Sequence, residues 1–302
     1  MRPNLAVSLL LTSFAFGAIP ASADLLFATR YDGTVTQIDT TTDAATTYVS
    51  GLNGGAGGLA FDKSGDLYVT DYGDDSVVRF TPNRVGTVFA SGLNNPAGLA
   101  VDAVGNLYVA SYIKGGGVIE RFTPNGPGTV FASGLNGPIN LVFDKAGNLY
   151  VANYYSGTVE RITPDGVSTL FASGLKGPVG LAFDSSGNLY VSTDSDRDDQ
   201  TITRYTPEGV GSLFSNTTPY YPTGLAFDGS GNLYAAHDGD GLVSQISPNG
   251  SQTTFSTSAS DTISFLATQP VAVPEPSGTV LLLIGVASLI CDNYVRRHRK
   301  AV

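Results

Sequence analysis

The sequence predicts an all-β fold, a six-bladed β-propeller, and three observations predict it. First, a twelve-residue segment recurs five times: Gly58-Leu-Ala-Phe-Asp-Lys-Ser-Gly-Asp-Leu-Tyr-Val69, then Gly98–Val109, Asn140–Val151, Gly180–Val191 and Gly224–Ala235. Second, the turn aspartates Asp62, Asp102, Asp144, Asp184 and Asp228 stand 40, 42, 40 and 44 residues apart, a period that belongs to propeller blades. Third, each unit has room for four short β-prone runs separated by turn signals. Composition agrees: 37 Gly and 16 Pro supply the turns, and 15 Phe and 15 Tyr supply a core.

Along the chain, residues 1–23 read as a secretory signal peptide. A single basic residue, Arg2, precedes an apolar run from Leu5 to Ile19 and a small-x-small site, Ala21-Ser22-Ala23. The propeller is expected over 24–270. It opens with Leu25-Leu-Phe-Ala-Thr29, which matches a second strand, and Thr34-Val-Thr-Gln-Ile38, which matches a third; Ala45 to Val49 matches an outermost strand. No first strand precedes them. Thr262-Ile-Ser-Phe-Leu266 matches a first strand with nothing after it, so the two ends of the body share one blade and close the ring. Within each repeat the first Asp of Asp-x-x-Gly-Asn/Asp is expected to bond nearby backbone N–H groups, with Gly taking positive φ. These recurring acids are therefore structural.

Residues 271–302 differ from the body. Val273-Pro274-Glu275-Pro276 is rigid and non-helical, Ser277 to Cys291 is uncharged and mostly apolar, and Arg296, Arg297, Arg299 and Lys300 form a basic tail. Fifteen helical residues reach about 22 Å at 1.5 Å per residue, short of the roughly 30 Å hydrocarbon core. The expected element is a short C-terminal transmembrane helix with its basic end cytoplasmic.

These three parts, in this order, resemble the PEP-CTERM sorting signal of Gram-negative bacteria. The resemblance makes Pro274, Glu275, Pro276, Arg296 and Arg297 the sorting residues. It implies signal peptidase and an exosortase as partners during export, a transient stay in the inner membrane, and delivery to the cell surface or an exopolysaccharide matrix. The repeat Gly-Leu-Ala-Phe-Asp-x-x-Gly-Asn-Leu-Tyr-Val with its Thr-Pro-Asp/Asn-Gly turn resembles the NHL family, and more loosely the SMP-30/gluconolactonase and virginiamycin B lyase-like propellers.

The whole chain carries a net charge of −10; without its two ends, residues 24–276 carry −14, a balance that excludes nucleic acid as a partner. One Cys cannot form an internal disulfide, and two His are too few for a His-rich metal site. There is no G-x-x-x-x-G-K-[ST], G-x-S-x-G or C-x-x-C.

A site is expected at the mouth where second strands end and first strands start. Across the blades the second-strand ends read Arg30, Asp71, Ser111, Asn153, Thr193 and His237, and the first-strand positions read Gly58, Gly98, Asn140, Gly180, Gly224 and Ser264. Two functions follow from two residue sets. A binding module uses Tyr72, Tyr112 and Tyr154, which follow the mouth position, with Arg30, Asp71, Asn140 and Asn153 as hydrogen-bond partners. Tyrosine faces flanked by Asp and Asn suit sugar rings and hydroxyls, so polysaccharide or another surface protein is the expected partner. The alternative is a metal-dependent lactonase or esterase in which Ca²⁺ is held at the mouth and His237 is the base. The SMP-30-like resemblance implies a Glu/Asn/Asn/Asp metal set, from which this chain departs: Glu120, Glu160 and Glu208 all lie outside the mouth positions. The primary expectation is therefore a non-catalytic module with no certain cofactor. A separate acidic loop, Asp194, Asp196 and Asp198, resembles the start of an EF-hand, but Asp199 stands where Gly belongs and Tyr205 where Glu belongs.

Overall fold

The computed structural model describes residues 25–269 except 125, 195–199, 217–220, 239–240 and 257–262. The segments 1–23 and 271–302, read above as signal peptide and sorting signal, lie outside the described residues. Every described element is a strand, and none of the described residues forms a helix that can cross a membrane.

Six four-stranded antiparallel sheets form the six blades. From inner to outer strand, blade 1 is Ala56–Phe61, Leu67–Asp71, Ser76–Phe80 and Gly86–Ser91; blade 2 is Pro96–Val101, Leu107–Ser111, Gly117–Phe122 and Thr129–Leu135. Blade 3 is Pro138–Phe143, Leu149–Asn153, Thr158–Ile162 and Ser168–Ala172; blade 4 is Pro178–Phe183, Leu189–Thr193, Ile202–Tyr205 and Gly211–Ser215. Blade 5 is Pro222–Phe227, Leu233–His237, Leu242–Ile246 and Gln252–Ser256. Blade 6 takes its inner strand, Ile263–Thr268, from the far end of the body and the other three, Leu25–Arg30, Val35–Asp39 and Ala44–Val49, from its start. The inner strands contact one another in sequence, the sixth touching the first. Four of them begin with Pro, which lacks an N–H and is tolerated at the first residue of an edge strand.

The ring closes as the repeat arithmetic requires. Leu26 pairs with Thr268, Phe27 with Ala267 and Ala28 with Leu266. The Phe265 amide also donates to Thr29 Oγ1 at 3.1 Å. Closure removes two free sheet edges that would otherwise pair with other chains.

Each blade is held in shape by its Asp turn. In blade 3, Asp144 Oδ1 accepts from the amides of Ala146 (2.9 Å) and Asn148 (2.8 Å), and Asn148 Nδ2 donates to Oδ2 at 2.8 Å. Gly147 sits at φ +84, where an L side chain is strained. Blade 1 varies the theme. Asp66 replaces the turn Asn and receives Arg79 Nε at 2.7 Å.

Blades join through aromatic wedges. In blades 2, 3 and 4 the Tyr of the Leu-Tyr-Val strand packs edge-on against the outer-strand Phe of its own blade and the inner-strand Phe of the next, while Tyr68 and Tyr234 in blades 1 and 5 meet the outer-strand Phe89 and Phe255. Tyr150 stands 5.0 Å from both Phe171 and Phe183; Tyr108 is 5.0 Å from Phe131 and Phe143; Tyr190 is 4.8 and 4.9 Å from Phe214 and Phe227. In blade 6, Phe27 takes the Tyr place against Tyr48 and Phe61. Six hydrophobic clusters, one per gap between blades, form the core.

Replacing a buried wedge leaves a cavity. Tyr150→Ala is expected to lower unfolding free energy by about 3–5 kcal/mol, read from denaturant midpoints. A loss under about 1 kcal/mol would mean that the rings fill space without joining the blades.

Candidate functional site: the tyrosine end of the propeller

The six second-strand ends are buried rather than presented to solvent. Asp71 is 2% exposed, Asn153 and His237 0%. Arg30, Ser111 and Thr193 are buried as well. Strand alternation explains this: Leu67, Val69 and Asp71 share one face, and that face packs on the preceding blade.

Their polar groups turn inward, most to nearby partners, while Asn153 Oδ1 is buried without one. Both Asp71 carboxylate oxygens accept from the Asn53 amide, at 3.0 and 2.9 Å. Asn153 Nδ2 donates to Glu160 Oε1 at 3.3 Å, and Arg30 Nη1 to Thr36 Oγ1 at 3.5 Å. His237 Nε2 shares a 2.9 Å hydrogen bond with Ser244 Oγ, which also receives Gln252 Nε2 at 3.0 Å. Asn140 is half-buried, and its Oδ1 accepts from the Leu141 amide at 2.7 Å.

This donor set does not fit a Ca²⁺ ion. Asp71 spends both oxygens on a backbone amide, Asn140 spends its oxygen on its own neighbour, and among the described residues no three His, Cys, Asp or Glu side chains converge on a metal position. Asp194 is described, whereas Asp196 and Asp198 fall outside the described residues.

The tyrosines that follow the second strands behave differently. They lie at the same end, partly open, and three of them meet. Tyr112 stacks on Tyr155 with centroids 5.3 Å apart and planes 23° apart. Tyr154 meets Tyr155 edge-on at 5.3 Å and Tyr112 at 6.1 Å. The Tyr154 hydroxyl donates to Asp194 Oδ2 at 3.4 Å, and Lys114 Nζ lies 5.3 Å above the Tyr155 ring. Tyr155 is 42% exposed and Tyr31 54%; Tyr72 is half-buried. The result is an aromatic plate bordered by one cation and one carboxylate.

Backbone geometry makes room for the plate. Gly137 sits at φ +69, and a Cβ there would fall 2.9 Å from Tyr155 Cε2 and nearer still to Cδ2. Gly177, at φ +62, would push a Cβ to 2.9 Å from Tyr154 Cε2. Burial pushes the phenols of Tyr72 and Tyr112 well above their ordinary range; the hydrogen bond that the Tyr112 hydroxyl donates to Tyr155 adds to the shift of Tyr112. Tyr72 and Tyr112 therefore keep their protons and offer hydroxyls that both donate and accept.

Of the residues singled out from the sequence, Tyr112 and Tyr154 meet at this plate and Tyr72 lies at the same end; Lys114, which carries no motif, and Gly137, whose contact is visible only once Tyr155 is placed, were not singled out. The Tyr154-Tyr155 doublet was the one available signal.

No protein-family model matches the chain, and no curated protein sequence does. Solved structures match its fold. A virginiamycin B lyase from Staphylococcus aureus, crystallised with quinupristin, superposes with TM-score 0.62 at 16% identity, covering 82% of this chain and 94% of that one. A gluconolactonase from Xanthomonas campestris gives 0.61 at 21% identity, covering 70% and 78%. An aldose sugar dehydrogenase from Streptomyces coelicolor, in its PQQ-bound form, gives 0.62 at 16%, covering 74% and 88%. At these identities the similarity is one of fold.

Two outcomes test the plate. Gly137→Ala and Gly134→Ala place the same strain on positive φ, but a Cβ at Gly134 meets nothing within 4 Å. Gly137→Ala is expected to cost about 1 kcal/mol or more, to exceed Gly134→Ala, and to change the near-ultraviolet dichroism of the tyrosines. Equal losses with unchanged dichroism would contradict the contact. Second, phenols raised in the folded state stabilise it below pH about 10, where unfolded tyrosines keep their protons. That stability is lost as pH rises past this value, because only the unfolded chain then ionises freely. A spectrophotometric titration should show a late-ionising class of tyrosines that merges with the rest on unfolding.

Proposed function

We propose that the tyrosine end of the propeller recognises a ring-shaped, hydroxylated ligand, a sugar or a sugar-derived lactone. The observation that carries this is the Tyr112–Tyr154–Tyr155 plate with Lys114 and Asp194 at its border. An aromatic face covers the apolar face of a sugar ring, while phenol, ammonium and carboxylate groups meet its hydroxyls. Tyr31 and Tyr72 extend the same end toward the neighbouring blades.

Catalysis at this end is the second reading, and the structural neighbours favour it over a non-catalytic module. They include a gluconolactonase, virginiamycin B lyases and a sugar dehydrogenase. Within this chain, the residue set first suggested for a metal-activated water does not support such a step. A hydrolytic activity would have to rest on other groups at the tyrosine end.

The cellular setting completes the proposal. Residues 1–23 act as a signal peptide, and the span around Pro274-Glu275-Pro276 with Arg296 and Arg297 acts as a PEP-CTERM sorting signal, handled by signal peptidase and an exosortase. The propeller then works at the cell surface or in an exopolysaccharide matrix. What supports this is the order of the rigid, apolar and basic segments in the sequence.

The test is one preparation with two readouts: calorimetric titration with neutral hexoses, uronates and D-glucono-1,5-lactone, and pH-stat measurement of lactone opening. Binding weakened at least tenfold by Tyr155→Ala and Tyr112→Ala, without turnover, supports the binding module. Turnover above the uncatalysed rate that Tyr155→Ala lowers supports the enzyme. Neither binding nor turnover across the panel would overturn the reading.

A further inference from the structure

One position repeats around the tyrosine end, and its side chain divides that end in two. It is the residue that follows each second strand. In blades 1 to 5 its amide donates to the carbonyl of the residue just before the inner strand of the same blade. The pairs are Tyr72 with Gly55 (3.2 Å), Tyr112 with Asn95 (2.9 Å), Tyr154 with Gly137 (2.9 Å), Asp194 with Gly177 (2.8 Å) and Asp238 with Tyr221 (3.0 Å). All five accepting residues have positive φ, from +30 to +110. The backbone therefore holds this position alike in the five blades. Tyr31 follows the second strand of blade 6.

The side chain is Tyr in blades 6, 1, 2 and 3 and Asp in blades 4 and 5. Blades 4 and 5 keep the same backbone hydrogen bond with Asp, so the blade itself does not require a tyrosine there. The four rings occupy consecutive blades, and each lies near the next. Burial is the first cause that raises the Tyr72 phenol, and the neighbouring Tyr31 adds to it. For Tyr112, burial comes first, then Tyr155, and Tyr154 and Tyr72 add to the same shift. Glycine lies against the row here too: a Cβ at Gly55 would meet Tyr31 Cδ1 at 3.5 Å, and one at Gly57 would fall 2.9 Å from Tyr72 Cε2.

The most exposed rings stand at the two ends of this row. Tyr31 on blade 6 is 54% exposed and Tyr155 on blade 3 is 42% exposed. Blades 6 and 3 are three apart in a ring of six, so the row makes a half-turn around the mouth. One sugar ring covers one aromatic face and cannot touch both ends. A chain of linked rings can.

We infer that the tyrosine end binds a linear oligosaccharide, laid along the arc from Tyr31 through Tyr72 and Tyr112 to Tyr155, with blades 4 and 5 left uncovered. The inference rests on the ligand reading above and deepens it: the ligand class is a chain of sugars rather than a single ring. Each tyrosine is a subsite for one ring. Linking the rings makes every contact after the first intramolecular, so affinity rises with chain length although no subsite changes. A free hexose or lactone at saturation fills the same subsites singly.

The experiment titrates the purified protein by calorimetry with glucose and with chains of two to four glucose units, in a curled series (maltose to maltotetraose) and a straight one (cellobiose to cellotetraose). In at least one series the tetrasaccharide is expected to bind at least about tenfold more tightly than glucose. Tyr31→Ala is expected to remove most of that gain while the melting temperature holds, because the side chain is exposed. Tyr31→Asp, which gives blade 6 the residue type of blades 4 and 5, is expected to do the same. Binding of glucose or D-glucono-1,5-lactone with no gain in either series overturns the arc and leaves the single-ring reading standing. A gain that both Tyr31 variants leave intact also overturns it, because the chain then does not reach blade 6. Binding of nothing in the panel overturns the arc together with the reading it rests on.

Discussion

The packing of one aromatic ring between two others, repeated from blade to blade, is the constraint on which the rest of this structure depends. A single four-stranded sheet has two apolar faces and cannot bury either alone. Tyr108, Tyr150 and Tyr190 solve this by standing edge-on between the outer-strand Phe of their own blade and the inner-strand Phe of the next. Offset or edge-on rings contribute beyond the area they bury. Because each contact spans two blades, no blade is complete until its neighbour is in place, and the last must meet the first. That is why the chain spends its two ends on one sheet.

The same constraint divides the molecule into two ends with different freedom. At one end the Asp turns repeat with nearly identical hydrogen bonds, as in Asp144 and Asp184. Uniform turns keep the strand register, and register keeps the wedges aligned. At the other end the loops are released from that duty. There Tyr112, Tyr154 and Tyr155 gather on one side of the ring. Departures from the repeat thus collect at a single end, as expected where a regular scaffold carries a specific site.

The fold was legible because its causes are local. Asp-x-x-Gly-Asn-Leu-Tyr-Val names a turn, a positive φ and a β-strand in eight residues, and its spacing gives the blade count. The shared blade was legible too, since Leu25–Thr29 lacks a preceding first strand and Thr262–Leu266 lacks a following second one. The site was legible only in part. Asp71, Asn153 and His237 were expected to line the mouth because they end their strands. Their side chains share the face of Leu67, Val69 and their equivalents, so they turn into the gap between blades, buried to 2% or less. The tyrosines one residue later escape that fate because the chain has left the strand. Lys114 over Tyr155 joins residues whose meeting depends on loop geometry, which no periodicity encodes.

The central claim is that a ligand sits on the tyrosine end of the propeller. Residue-resolved hydroxyl-radical footprinting of the purified protein, with and without saturating D-glucono-1,5-lactone or hexose, tests it most directly. The account predicts protection of Tyr155, Tyr112 and Tyr31, with Tyr68 and Tyr234 on the blade wedges unchanged. Protection confined to the Asp-turn end, around Pro207 or Pro248, would place the ligand on the opposite face and contradict it.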